Sequence, residues 1–431
     1  MHPVEPHPIR IVVEDDLERS RLTVFFRLLL AIPHFVWIFL WSIAMFFVSI
    51  VNWFLALVLG RLPNALHRFT AAYVRYTTHL GAYLLLAANE YPGFVGEAGD
   101  YPVDLKVAGP ERQNRWITAF RFILFLPAFL LASVFFGSPG GGGGSGRDTD
   151  AGNGEAYYYT GGGFGLALTV AVLAWFACLV RGRMPHGFRD LLAYTIRFGA
   201  QTLAYFLILT DRYPNSDPRE PVAAPSPPRP VELVSPEEDL RRNRLTVFFR
   251  LLLTIPHLVW LILWGIAVFF ALIVAWFATL ITGRLPHALH RFLSAYLRYE
   301  THVFAYLTLV ENPFPGFTGA AGSYPVDVRI DPPERQNRWK TAFRIILAIP
   351  AHLVTSGLGG ALFVIAFLGW FASLALGRMP RSLRALGAYA LGYSAQTYGF
   401  IYLLTDTYPY SGPPAFRGPE QEVLEPEVAA V

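Results

Sequence analysis

Residues 28–60 read LLLAIPHFVWIFLWSIAMFFVSIVNWFLALVLG and contain no Asp, Glu, Lys or Arg. Two further runs, at 251–283 and 345–377, share the length of 33 residues and the lack of charge. One straight helix of that length would extend for about 50 Å, whereas the hydrocarbon core of a bilayer is about 30 Å thick. The runs therefore predict a membrane protein in which each run is too long for a single straight crossing.

The composition indicates the same class of protein. Of the 431 residues, 54% are hydrophobic and 15% are charged, whereas soluble domains carry about 25% charged residues. The formal net charge of +4 is compatible with a nucleic-acid partner. However, the arginines flank the apolar runs, as is typical of membrane proteins. The sequence therefore predicts membrane lipids as partners, with anionic headgroups among them, and no nucleic acid; it leaves protein partners unknown.

The chain repeats one unit four times. SRLTVFFRLLLAIPHFVW at 20–37 recurs almost unchanged as NRLTVFFRLLLTIPHLVW at 243–260, an offset of 223 residues. Within each half, a second unit follows the first at an offset of 94 residues. The markers that recur in all four units are Arg27, Arg121, Arg250 and Arg344, then Pro33, Pro127, Pro256 and Pro350, then Gly60, Gly182, Gly283 and Gly377.

Each unit opens with a short alternating segment behind a proline. The four segments are HPIRIVV at 7–13, YPVDLKV at 101–107, RPVELVS at 229–235 and YPVDVRI at 324–330. Alternation with β-branched residues predicts a brief strand in each. The predicted domains are membrane unit 1 at 1–101, unit 2 at 102–224 with a Gly-rich insert at 137–163, unit 3 at 225–324, unit 4 at 325–412, and a disordered tail at 413–431.

Three of the recurring elements resemble a known family. FFRLLLAIPH at 25–34, GRLPNALHRF at 60–69 and YPVD at 101–104 are similar to the domain of unknown function 4389 family of bacterial integral membrane proteins, here in tandem. The resemblance covers nearly the whole chain except the linker between the halves, the insert and the tail. It implies a membrane location, and because the family is uncharacterised it supplies no activity, substrate or catalytic residue.

The insert in unit 2 indicates how each run meets the bilayer. It reads GSPGGGGGSGRDTDAGNGEAYYYTGGG and interrupts the middle of the run, where unit 4 has SGLGG at 356–360. A polar, Gly-rich segment cannot lie in hydrocarbon, because its backbone groups would lack hydrogen-bond partners. We therefore predict an all-α integral membrane protein of four tandem units. Each unit has a helical hairpin that crosses twice, a third helix that is amphipathic or spanning, and a short strand at its start.

The third helix of units 1 and 3 carries a basic stripe. The stripe residues, on one helical face, are Arg68, Arg75 and His79 in unit 1 and Arg291, Arg298 and His302 in unit 3. Either the helix lies at the membrane surface with the stripe among headgroups, or it spans with the stripe inside a bundle. These alternatives give 8 or 12 crossings. A surface helix places nearly all basic residues on one side, which favours a multi-pass protein of the cell membrane with cytoplasmic termini.

Other arginines are candidates for binding anionic lipid headgroups. They are Arg112, Arg115, Arg241, Arg242 and Arg244. Arg27 lies about one turn inside the first predicted helix and is expected to extend to the headgroups. The alternative for all these residues is that they only orient the protein in the membrane.

No catalytic motif points to an enzyme. His-Glu-x-x-His and Gly-x-Ser-x-Gly are absent from the sequence, and the sequence predicts no metal site and no cofactor. The sequence therefore predicts a membrane scaffold or accessory protein with a basic lipid-facing surface. The alternative is a small-molecule or ion transporter, which the nested repeats suit but which the uncharged apolar runs do not support.

Overall fold

The computed structural model describes residues 7–137, 165–219, 229–236 and 240–414. The chain forms two compact units, Met1–Pro214 and Asn215–Val431, and each contains two of the repeats. All but the first residue of the predicted Gly-rich insert and all but the first two residues of the predicted disordered tail lie outside the described residues.

The two units have the same order of elements, except that two helices of the first unit, α5 and α6, correspond to the single helix α12 of the second. The first contains β1 (Ile9–Val13), α1 (Arg21–Leu30), α2 (Ile32–Leu59), α3 (Asn64–Leu84), β2 (Val103–Val107), α4 (Arg115–Ala119), α5 (Arg121–Phe136), α6 (Leu166–Arg181) and α7 (His186–Phe206). The second contains β3 (Val231–Val234), α8 (Arg244–Phe248), α9 (Arg250–Thr282), α10 (His287–Leu307), β4 (Asp327–Ile330), α11 (Arg338–Ala342), α12 (Arg344–Leu376) and α13 (Arg381–Ile401).

The predicted strands are confirmed. Strand β1 pairs antiparallel with β2, and Ile11 lies opposite Leu105. Strand β3 pairs antiparallel with β4, and Leu233 lies opposite Val328. Each two-stranded sheet thus joins the openings of two successive repeats.

The hairpin prediction is wrong in the residues that the structure describes. Helices α9 and α12 each run unbroken for 33 residues, and Ala31 between α1 and α2 keeps helical backbone angles. The SGLGG segment at 356–360 remains inside α12. A glycine costs a helix only about 1 kcal/mol, which packing of the next helix along α12 can offset, so the segment does not have to form a turn.

The apparent break in unit 2 is an interruption of one long helix. The backbones of Gly137 and Gly165 adjoin, since a side chain on Gly165 would meet the Phe135 carbonyl oxygen at 2.7 Å. Helices α5 and α6 both pack on α7, as the whole of α12 packs on α13. We refer to α2, the α5–α6 pair, α9 and α12 as the long helices, and to α3, α7, α10 and α13 as the third helices.

Backbone geometry explains where these helices end and begin. Each long helix ends at a glycine with a positive φ, a conformation that glycine adopts at little cost. These glycines are Gly60, Gly182, Gly283 and Gly377. Each third helix begins directly after a proline, which fits there because the first helical N–H groups have no partner within the helix. These prolines are Pro63, Pro185, Pro286 and Pro380.

The third helices form the centre of each unit. In the first unit α3 packs on α7, and in the second α10 packs on α13. The third helices also contact both the long helices and the strands. The long helices are buried only along a stripe; in α9 its members are Arg250, Thr254, His257, Leu261, Val268, Ala275 and Thr279. The other residues of α9 are exposed or partly buried.

The two repeats of each unit exchange the same contacts. The Trp53 indole N–H donates to the Thr118 carbonyl in the next repeat, and the Trp175 indole N–H donates to the Val24 carbonyl in the preceding one, both at 3.1 Å. Trp276 and Trp370 repeat this exchange in the second unit. The recurring Trp-Phe step therefore joins the end of one long helix to the start of the other.

Candidate functional site

The long helices present an extended apolar surface. On α9, large side chains are exposed over the full length of the helix, including Ile262 at 66% and Ile281 at 70%. Three of the described helices, at 21–59, 250–282 and 344–376, are long and apolar enough to cross a membrane. Soluble monomeric proteins rarely expose a contiguous apolar surface of this extent. It indicates association with a membrane.

Arginines lie at the ends of these apolar helices. Each of four exposed arginines donates to a carbonyl near the C-terminus of the long helix in the partner repeat, where four carbonyls lack helical partners. The pairs are Arg21 with Val180 at 3.0 Å, Arg115 with Val58 at 2.9 Å, Arg244 with Ala375 at 3.0 Å and Arg338 with Ile281 at 2.9 Å. The guanidinium groups of Arg115 and Arg244 therefore have a structural role and remain accessible to a headgroup.

The remaining headgroup candidates differ in exposure. Arg112 and Arg241 are exposed. Arg242 is buried, and its guanidinium donates to the Leu309 and Val310 carbonyls at 3.3 and 3.4 Å. The expectation that Arg242 faces lipid is thus corrected, because this side chain turns inward to satisfy carbonyls after α10.

The arginine that recurs at the start of each long helix is also buried. Arg250 is 2% exposed, lies over the Tyr306 ring at 4.3 Å, and donates to the Tyr306 and Glu311 carbonyls at 2.5 and 2.9 Å. Between these acceptors, Leu309 has a φ of 64°, which is unfavourable for a residue with a side chain. Arg250 therefore holds a strained turn at the end of the third helix.

All four repeats share this arrangement. Arg27, Arg121 and Arg344 donate to carbonyls on either side of Leu86, Ile208 and Leu403, which also have positive φ. The expectation that Arg27 extends to the headgroups is corrected, because its partners are the Tyr83 and Ala88 carbonyls.

The basic stripe of the third helices faces the strands. The imidazole Nε2 of His79 lies 2.8 Å from Asp104 Oδ1, and that of His302 lies 2.9 Å from Asp327 Oδ1. The residue after each aspartate in the strand accepts from an arginine of the stripe. Arg75 donates to the Leu105 carbonyl at 2.9 Å, and Arg298 donates to the Val328 carbonyl at 3.0 Å. Only Arg68 and Arg291 of the stripe are exposed.

The protonation states of the first His–Asp pair follow from its surroundings. Burial would raise the pKa of Asp104, but donors from His79 and from the backbone N–H groups of Gly99 and Leu105 lower the pKa below its usual value. Burial lowers the pKa of His79, although the hydrogen bond that its ring donates to Asp104 acts in the opposite direction. A neutral His79 ring therefore donates to an ionised Asp104.

This pair predicts a loss of stability in acid. Because the folded-state pKa of His79 is lowered, the unfolded chain binds more protons as the pH falls below about 6.5, and folding is weakened there. Glutamine occupies the equivalent position in repeats 2 and 4, at Gln201 and Gln396. We expect His79→Gln to reduce the slope of unfolding free energy against pH between 5 and 7 in chemical denaturation. An unchanged slope would show that His79 does not bind that proton.

Most of the helices and turns described above match the model of a protein family. The model of the family described as Domain of unknown function (DUF4389) matches residues 21–96, 164–216, 244–318 and 338–411, which is more than half of the chain. The chain belongs to the DUF4389 family. No curated protein and no solved structure matches the chain.

The DUF4389 matches cover the helices other than α4 and α5, and they exclude the strands. Three matches run from the short helix that precedes a long helix to beyond the strained turn, whereas β1, β2, β3 and β4 fall outside the matches. His79 and His302 therefore lie within DUF4389 matches, and their carboxylate partners lie in the segments between them.

Sequence reasoning missed the role of these carboxylates. Asp104 and Asp327 were visible as the last residue of the two YPVD segments, and each follows a repeat that carries a histidine in its third helix. This joint occurrence was the available signal for a His–Asp pair. Across the described ranges, no group of three or more His, Cys, Asp or Glu residues could hold a metal ion.

Proposed function

We propose that this DUF4389 protein is a non-catalytic membrane scaffold or accessory protein whose long helices lie in the plane of one leaflet. The observation that carries the proposal is the apolar surface of the long helices, which is exposed over their full length. The third helices and the strands cover one side only. That arrangement fits a protein that rests on a membrane with one apolar side embedded.

The length of the long helices supports this orientation. A helix of 33 residues, such as α9, is about 50 Å long, so it would need a tilt of about 53° to fit a core of about 30 Å. Membrane-spanning helices tilt by about 0–40°. In the plane of a leaflet, a helix of this length needs no such adjustment.

The interruption of the long helix in repeat 2 supports the in-plane orientation independently. In the sequence, the polar residues 138–164 are inserted between Gly137 and Gly165, which adjoin at the midpoint of the long helix. The midpoint of a spanning helix lies at the centre of the hydrocarbon, where such a segment would leave its backbone groups without partners. The midpoint of an in-plane helix lies at the same depth as its ends, within reach of the headgroups.

Charge at the helix ends favours the same orientation. Helix α9 has Arg244 before its start and Arg284 after its end, and α12 has Arg338 and Arg378 in these places. A crossing would place basic residues on both sides of the membrane, against the usual asymmetry. In the plane, all of them face one headgroup layer. We propose that this layer is the anionic cytoplasmic leaflet, which Arg112, Arg115, Arg241 and Arg244 would contact.

A transporter is the second candidate, and one residue favours it. Glu300 in α10 lies near Tyr402 of α13, and burial raises its pKa to about 7. A carboxylate that titrates near neutral pH is suited to relay protons. The other third helices have no equivalent residue, and a relay requires helices that cross the membrane.

The depth of α9 in vesicles tests the proposal. Nitroxide labels on cysteines at Leu251, Ile266 and Ile281, in a Cys178→Ala background, would report depth at the start, middle and end of α9. We expect three equal depths. A central label at the bilayer centre with two shallow ends on opposite sides would contradict the in-plane orientation. Proton flux that Glu300→Gln abolishes would favour the transporter.

A further inference from the structure

Each of the two units carries an equivalent groove on one of its third helices. The first, of 710 Å³, is lined by residues that include Asn64, His67, Arg68, Ala71, Arg75 and Glu97. The second, of 330 Å³, is lined by His290, Arg291, Ser294, Arg298 and the loop from Thr318 to Ala321. Equivalent residues of the two linings lie 223 positions apart in the sequence, which is the offset between the two halves of the chain. The same feature has therefore been retained in both halves.

The second groove contains two buried polar groups without partners among the described residues. These are Nε2 of His290 and Oγ of Ser294, whose residues are 8% and 2% exposed. They lie one turn apart in α10, so they are on the same face of the helix. A buried polar atom that lacks a hydrogen bond costs about 1–3 kcal/mol. A ligand that offers both acceptor oxygens and a hydroxyl donor, as a protonated phosphate group does, would remove that cost.

The charge of the second groove identifies the class of ligand. Arg291 is exposed, and Arg298 is oriented by the hydrogen bond from its Nε to the Val328 carbonyl at 3.0 Å. The described lining contains no acidic residue. Two guanidinium groups beside a hydroxyl and an imidazole match the oxygens of a phosphate group.

We infer that the second groove binds a phosphate group, which Ser294 and His290 bind by hydrogen bonds and Arg291 and Arg298 neutralise. The first groove binds the same group more weakly. It has Ala71 in place of Ser294, which removes a donor, and Glu97 in place of Ala320, which repels an anion. The phosphate belongs either to a lipid headgroup or to a free phosphorylated molecule.

This inference goes beyond the proposed function and does not depend on it. The grooves lie on the third helices, and their chemistry is the same whether the long helices lie in the plane or cross. A failed depth test in α9 would leave phosphate binding intact, and absent phosphate binding would leave the depth of α9 unchanged.

Calorimetry with inorganic phosphate tests the free-anion source. The full chain would be held in nanodiscs of phosphatidylcholine, which has no net charge. We expect Arg291→Gln and Ser294→Ala each to weaken phosphate binding by about tenfold, the effect of losing one charge-assisted hydrogen bond. Arg338→Gln, an exposed arginine outside both grooves, is the matched control and should bind like the wild type.

Vesicles test the headgroup source. Added phosphatidylglycerol should increase binding of the wild-type protein more than that of Arg291→Gln. In either arm, Glu97→Ala should strengthen the first groove, and this gain cannot arise from misfolding. Dependence on Arg291 and Ser294 in one arm identifies the source of the phosphate. Binding that is independent of both residues in both arms would overturn the inference.

Discussion

Replacing Arg250 with alanine should lower the free energy of unfolding by about 3–5 kcal/mol, because buried carbonyls lose their donor and a cavity remains. The guanidinium donates to the Tyr306 and Glu311 carbonyls and stacks on the Tyr306 ring. Its loss also releases the turn at Leu309, whose φ of 64° is unfavourable without external support.

Two variants separate this role from a simple effect of charge. Arg250→Lys keeps the charge but cannot reach two carbonyls while stacking on the ring, so it should recover little of the loss. Arg244→Ala removes an exposed arginine with a single hydrogen bond to the Ala375 carbonyl and should cost about 1 kcal/mol or less. Chemical denaturation in detergent micelles measures the free energy of unfolding of all three variants. Equal losses for Arg250→Ala and Arg244→Ala would contradict the buried role.

The second large effect is expected at Gly319. Its φ is 59°, and a side chain would overlap the Ala295 carbonyl oxygen and approach Tyr299 Cβ at 3.0 Å. The left-handed conformation costs alanine about 1–2 kcal/mol, and overlap with a packed backbone adds about 1–3 kcal/mol. Gly319→Ala should therefore lower the free energy of unfolding by about 2–5 kcal/mol.

Gly322 is a matched control in the same loop. Its φ is 72°, but a side chain there would meet nothing within 4 Å. Gly322→Ala should therefore cost only the conformational term of about 1–2 kcal/mol. The difference between the two variants in thermal or chemical unfolding measures the overlap alone. A loss at Gly322 as large as that at Gly319 would show that α10 and this loop do not pack as described.

The apolar runs show which features of the fold can be predicted from hydropathy alone. An uncharged run of 33 residues predicts a helix in an apolar environment, and the described part of the chain contains three such helices. Hydropathy alone could not exclude a turn at the midpoint, because the glycines at 356–360 are compatible with either a turn or a helix. The packing of α13 along α12 stabilises the continuous helix.

The arginines illustrate a second limit. The recurrence of Arg27 in four repeats indicates that it matters, but the neighbouring apolar runs lead to the prediction that Arg27 and Arg242 lie at the membrane surface. The structure places both inside the protein. The polar groups that make this possible are backbone carbonyls, which every residue has, so no side-chain pattern reveals which of them need a donor.

The sequence by itself determined the four repeats, the strands at their openings and the membrane-associated class. These depend on periodicity and composition, which are properties of neighbouring residues. Only the tertiary structure decided which polar groups meet. Arg250 and its acceptors Tyr306 and Glu311 lie 56 and 61 residues apart, and His79 lies 25 residues from Asp104. Contacts at such separations form when the third helix folds back along the long helix and against a strand, and that packing is not encoded in any single segment.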